Sequence, residues 1–316
     1  MTPLFALLLM VNGIVTNQST GKPQQNVTVT LYKVGQDGPE ALESVKSAAD
    51  GKFAIDKTVT GPHLVQAAFD GVTYNHMLFP GRPSEGIQLD VYNATTKQGA
   101  AKVNTHMILL ESDGANLAVS ESVVWENNGK ASFYDPKSGA AKFYVPAGAG
   151  KVRVMCTHPA QTGIPIERAA DKTGAANVYT VDFPIKPGET RFDLTYSLPG
   201  TEFDSRIVHG GGPVRIVVPN GITVEGKGVT FVDKHPETQA SIYDVAGPTL
   251  SAKVIGTGSL RPPEPEEEAD EGAGLQQIRP RLYERFYPVL ALSFIILALG
   301  FLLLYRKPHG DPPPSA

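Results

Sequence analysis

The stretch NGIVTNQSTGKPQQNVTVTLYKV, residues 12–34, decides the fold. Val27, Val29 and Leu31 alternate with Thr28, Thr30 and Tyr32. Successive side chains of a strand point to opposite faces, so this period of two predicts a strand with one buried face. Ser19-Thr20-Gly21-Lys22-Pro23 predicts the turn before it. The same grammar runs downstream. Asp50-Gly51 and Asp70-Gly71 predict tight turns, because glycine takes positive φ at no steric cost. Phe53 and Ile55 alternate after the first turn, Gly61-Pro62 breaks the chain, and Ile87, Leu89 and Val91 make a last alternating run. Short strands parted by turn residues imply a small β-sandwich over residues 12–97.

The order of these turns carries a resemblance. Gly13-x-Val15-x-Asn17, Thr20-Gly21-Lys22-Pro23, Asn26-Val27-x-Val29, Asp50-Gly51-x-Phe53 and Gly61-Pro62-x-Leu64-Val65 follow one another as in the carboxypeptidase regulatory-like domain, which this segment resembles. The resemblance implies a transthyretin-like (prealbumin-like) sandwich of the starch-binding-like superfamily. It implies no catalysis and brings no shared set of active residues. Modules of this kind serve as adhesive, carbohydrate-contacting or structural appendages.

Residues 103–258 read as a second, larger β-sandwich region, either one domain or two subdomains. Strand-like runs recur between turns, and no stretch has helical periodicity. Val123, Trp125, Phe133, Phe143, Tyr144, Phe183 and Phe192 are expected to supply its core. Pro187-Gly188 reads as the turn of a hairpin, with Phe192, Leu194 and Tyr196 on one face. Gly226 reads as another turn. No family resemblance attaches to this region.

The end of the chain sets the setting. Residues 286–305, FYPVLALSFIILALGFLLLY, hold no charge. About 20 apolar residues rising ~1.5 Å each span the ~30 Å bilayer core, so a single transmembrane helix is expected. Before it, residues 259–285 form an acidic, Pro-rich linker containing RPPEPEEEADEGAG, and after it residues 306–316 form a short tail. Residues 1–11 include an apolar run, Leu4 to Met10, that reads either as a degenerate signal segment or as a lead-in to the first strand. Basic residues flank the span on both sides and leave orientation nearly balanced. The expected architecture is all-β, two sandwich regions followed by one membrane helix, with the β-domains extracytoplasmic, periplasmic or at the cell surface; the alternative is a tail-anchored chain with cytoplasmic β-domains.

Composition narrows the chemistry. The net charge of −4 gives no basic bias toward nucleic acid. A single cysteine, Cys156, excludes an internal disulfide. Motifs for metalloproteases, nucleophile elbows and phosphate loops are missing. His209-Gly210-Gly211-Gly212 has no nucleophile elbow to serve and reads as a flexible glycine loop. No cofactor and no catalytic residue are expected. The expected function is non-enzymatic: a membrane-anchored binding or assembly protein displaying β-sandwiches to a protein or envelope glycan partner. Two alternatives stay open. Tyr32, Tyr74 and Tyr92 would stack on sugars in a carbohydrate-binding module. Cys156 and His158, two apart and so on one strand face, would hold a soft metal in a metal-handling protein.

Overall fold

The computed structural model describes residues 10–35, 38–159 and 161–260. Residues 1–9 of the apolar start, the linker from residue 261, the expected membrane helix at 286–305 and the tail lie outside the described residues. Every regular element among the described residues is a strand, so the chain is all-β there. No helix of the described residues is long and apolar enough to cross a membrane.

Two four-stranded sheets form the N-terminal part. In one, Val11–Asn17 pairs antiparallel with Lys22–Pro23 and Lys52–Ile55, and parallel with Ile87–Val91. In the other, the order is Gly38–Lys46, Thr28–Gly35, His63–Phe69, Val72–Leu78, antiparallel throughout. The alternation read from the sequence is the one that packs. Val29 and Leu31 face inward from one sheet and meet Val15, Ile55 and Leu89 in a single apolar core. Asp70 and Gly71 take φ of 51° and 77° and turn the His63–Phe69 hairpin, as their identities predict.

The rest of the body is organised by one eight-stranded sheet. Its order is Ile166–Arg168, Arg153–Thr157, Gly188–Pro199, Asn116–Asn127, Ala101–Ser112, Val214–Val218, Ser241–Val245, Val229–Lys234. Three of these strands are twelve residues long, and two small sheets lie over their inward face. Ala141–Tyr144, Val178–Val181 and Asp171–Lys172 form one cover, whose core includes Phe143, Val181, Val123, Trp125 and Phe192. Glu202–Arg206, Thr249–Gly256 and Ile222–Lys227 form the other, whose core includes Phe203, Val254, Ile108, Val119 and Leu198. One sheet therefore carries two cores side by side.

Two details correct the sequence reading. Pro187-Gly188 does not turn a hairpin: Val178–Val181 pairs with Ala141–Tyr144, whereas Gly188–Pro199 pairs with Asn116–Asn127 and Arg153–Thr157. Gly226 is not a turn but lies inside Ile222–Lys227, where a Cβ would come within 2.3 Å of the Ser251 carbonyl oxygen. The glycine is there for close strand approach.

Candidate functional site

The two parts meet along a seam sewn by backbone and side chains. Ala94–Thr95 pairs parallel with Ser132–Phe133. Tyr74, on the inner face of the N-terminal sandwich, is 1% exposed. Its hydroxyl donates to the Tyr92 carbonyl at 2.9 Å and shares a 2.9 Å hydrogen bond with Ser132 Oγ. Burial pushes this phenol up to about 12. Tyr74 is thus a strut and offers no ring face to a sugar. The Tyr92 ring lies 6.0 Å from it, half-buried, while Tyr32 projects from the opposite face of its sheet, its strand neighbour Leu31 pointing into the core. The three tyrosines form no common stacking platform.

Cys156 and His158 also part company. Cys156 is fully buried in the core, and burial pushes its thiol up to about 12. Such a thiol is an inert small hydrophobe. Among the described residues no three His, Cys, Asp or Glu side chains are grouped to hold a metal ion. His158 lies just beyond the strand end and lines a cavity of about 170 Å³ at the seam. His63 is 3% exposed, its Nδ1 3.1 Å from the Gly61 carbonyl oxygen.

The seam cavity draws residues from both parts, among them Thr73 and Asn75 of the N-terminal sandwich and His158, Gln161 and Lys186 of the larger one. Gln161 Oε1 accepts from Lys186 Nζ at 2.8 Å and from the Asn75 backbone N–H at 3.4 Å. Lys186 Nζ lies 5.2 Å from the centroid of the Tyr74 ring. Lys186 is 4% exposed, and burial pulls its ammonium down to about 7. His158 is 6% exposed and is pulled down to about 4, first by burial and then by Lys186. Neither of its ring nitrogens has a partner in hydrogen-bond geometry, although backbone at Pro187 and at His158 itself lies near enough to oppose the shift, less than burial and Lys186 drive it. Sequence reasoning named His158 but not Lys186. Lysine is rarely buried, and nothing in Pro184-Ile185-Lys186-Pro187 signals that this one is.

A second polar group lies between the two cores of the long sheet. Glu121 is flanked by Ile108 and Leu194 in register, with its side chain turned inward. His106 Nε2 donates to Glu121 Oε2 at 2.8 Å, and the Tyr196 hydroxyl donates to Oε1. Since Nε2 carries the proton, Nδ1 of a neutral His106 accepts from His209 Nε2 at 2.9 Å. Burial and then Glu121 drive the Tyr196 phenol far up. Burial and then His106 bring His209 down to about 4, against smaller opposing effects of Glu121 and the Gly211 backbone. His209 is delivered by the glycine loop, which is therefore not a free one. Gly212 has φ of 68°, and a Cβ there would come within 2.8 Å of the Asn104 carbonyl oxygen. Asn104 is the bulge in Ala101–Ser112, so the loop seats His209 against the strand. The group ties Ala101–Ser112, Asn116–Asn127, Gly188–Pro199 and the glycine loop together.

No protein-family model matches the chain, and no curated protein does. Among solved structures, it is similar to the M1 zinc metallopeptidase from Deinococcus radiodurans at 13% identity, over 50% of this chain and 43% of that one, with a TM-score of 0.28. A variant of that enzyme bound to a Tyr-Ser-Ala substrate matches at 12% identity, over 56% of this chain and 52% of that one, again with a TM-score of 0.28. The chain thus spans about half the length of the solved structures it matches.

Proposed function

We propose that this chain is a non-enzymatic binding protein, tethered to a membrane by residues 286–305, that presents its β-sandwich body outside the cytoplasm. One observation carries the binding part: a cavity walled by polar side chains from both β parts, with two buried basic groups, Lys186 and His158, facing into it. A seam between two sandwiches is a common place for a ligand site. The tether rests on the apolar run, and the extracytoplasmic side on the ordered turns resembling a carboxypeptidase regulatory-like module. The acidic linker would hold the body off the bilayer. The scattered placement of Tyr32, Tyr74 and Tyr92 favours the seam over a sugar-stacking face.

The test uses the full chain in nanodiscs, melted against sets of small sugars, amino acids, anions and cations. At least one class should raise the melting temperature. Thr73→Trp, which places a bulky ring at the exposed wall of the cavity, should abolish that rise. If no class gives a rise that this variant blocks, the seam is not a binding site. Protease digestion of intact spheroplasts tests the sidedness: the body should be cut from outside.

A further inference from the structure

The seam cavity is lined by two buried basic side chains and holds little to oppose a charge on them. An ammonium has three donors. That of Lys186 gives one to Gln161 Oε1 at 2.8 Å and lies over the Tyr74 ring. Among the described residues no carboxylate lies within ion-pair distance of it. His158 adds a second buried basic ring with neither nitrogen paired. Arg168, exposed at the wall, adds a guanidinium, while the neutral His158 ring offers an N–H donor. Asp182 is the one carboxylate among the described lining residues, is exposed, and accepts from the Tyr134 hydroxyl at 3.0 Å.

Buried charges are normally paired, because leaving water without a partner is unfavourable. Two neighbouring buried basic side chains, both short of partners, define the chemistry of the missing one. A metal cation would sit beside the Lys186 ammonium with, among the described residues, no group of three His, Cys, Asp or Glu side chains to hold it. A neutral sugar would leave the ammonium uncompensated. We propose that the seam cavity binds a small oxyanion, a carboxylate or a phosphate, held between Lys186 and His158. This deepens the binding reading above and rests on it. A cavity of about 170 Å³ limits the ligand to a small molecule, since a cavity of roughly 150 Å³ accommodates benzene. The amide of Gln161 then has a positioning role: it ties Lys186 to the Asn75 backbone and so fixes the donor relative to the N-terminal wall.

The experiment is calorimetric titration of the full chain in phosphatidylcholine nanodiscs with inorganic phosphate, with acetate, and with glucose as neutral control. Wild type should bind one of the two anions, and which one separates phosphate from carboxylate recognition. Lys186→Met should weaken that binding at least about tenfold, as expected for loss of a charged hydrogen bond. This variant should fold, because it removes a buried charge and keeps an apolar stem of similar length. His158→Leu should weaken binding as well. Anion binding that survives Lys186→Met unchanged would overturn the proposal, as would no anion binding by wild type. If glucose or another neutral compound binds and Thr73→Trp blocks it while the anions do not bind, the oxyanion assignment fails and the seam remains a binding site.

Discussion

His106 Nε2 and Glu121 Oε2 stand 2.8 Å apart, both buried, where the two cores of the long sheet adjoin. A carboxylate inside a sheet face is tolerable only with its lone pairs engaged, and here His106 and Tyr196 engage both oxygens. Removing one partner strands the other. His106→Leu alone should destabilise the body by about 3–5 kcal/mol, read from urea unfolding. The double variant His106→Leu/Glu121→Met should lose clearly less than the two single losses added together. Additive losses would show that the pair is not coupled.

Stability should fall in acid through His158. Its folded pKa, about 4, lies below its ordinary 6.5 because the ring is buried beside Lys186. Between those values the unfolded chain holds a proton that the folded chain does not. Stability therefore drops as pH falls from about 6.5 to 4, by at most about 1.4 kcal/mol per pH unit for one proton. His209 acts in the same direction and window, weakened by its partial exposure. Urea midpoints at several pH values should fall less steeply for His158→Leu than for wild type. Equal slopes would remove His158 as the cause.

Tyr74 should matter for stability through its hydroxyl. Tyr74→Phe keeps the ring but leaves Ser132 Oγ and the Tyr92 carbonyl without this partner. A loss of about 1–3 kcal/mol is expected on urea unfolding. A variant as stable as wild type would contradict the strut. Retention on polysaccharide resins should be the same for both proteins.

Cys156 should be silent toward thiol reagents. The thiol is fully buried and pushed up to about 12, so almost no thiolate forms at pH 8. Iodoacetamide labelling followed by mass spectrometry should show modification only after denaturation. Rapid labelling of the folded chain would place the cysteine at the surface.

Local patterns made much of this fold legible. Val27 to Tyr32 announce their faces by alternation, and Asp70-Gly71 announces a hairpin, because both are set by neighbours in sequence. Pro187-Gly188 and Gly226 misled because their roles come from distant strands: Gly188–Pro199 pairs with Asn116–Asn127, and Gly226 presses on Ser251. The site was half visible. His158 stood out by its spacing from Cys156, yet the strand end sends the thiol to the core and the ring to the seam. Lys186 and Gln161 lie 25 residues apart, and Tyr74 comes from the other sandwich. Only tertiary packing buries that lysine. The Glu121 network was equally hidden, since the alternation of Asn116–Asn127 marks position 121 as inward but cannot show that His106, Tyr196 and His209 converge on it.

The sharpest measurement is the melting order of wild type and Lys186→Met across an anion titration, with the full chain in nanodiscs at neutral pH. In buffer without phosphate or carboxylate, the variant should melt above wild type, because it lacks a buried and unpaired basic group. At saturating phosphate or acetate, whichever binds, the order should reverse, since only wild type gains stability from the bound anion. Two proteins that keep the same order at every anion concentration would contradict an oxyanion site at the seam.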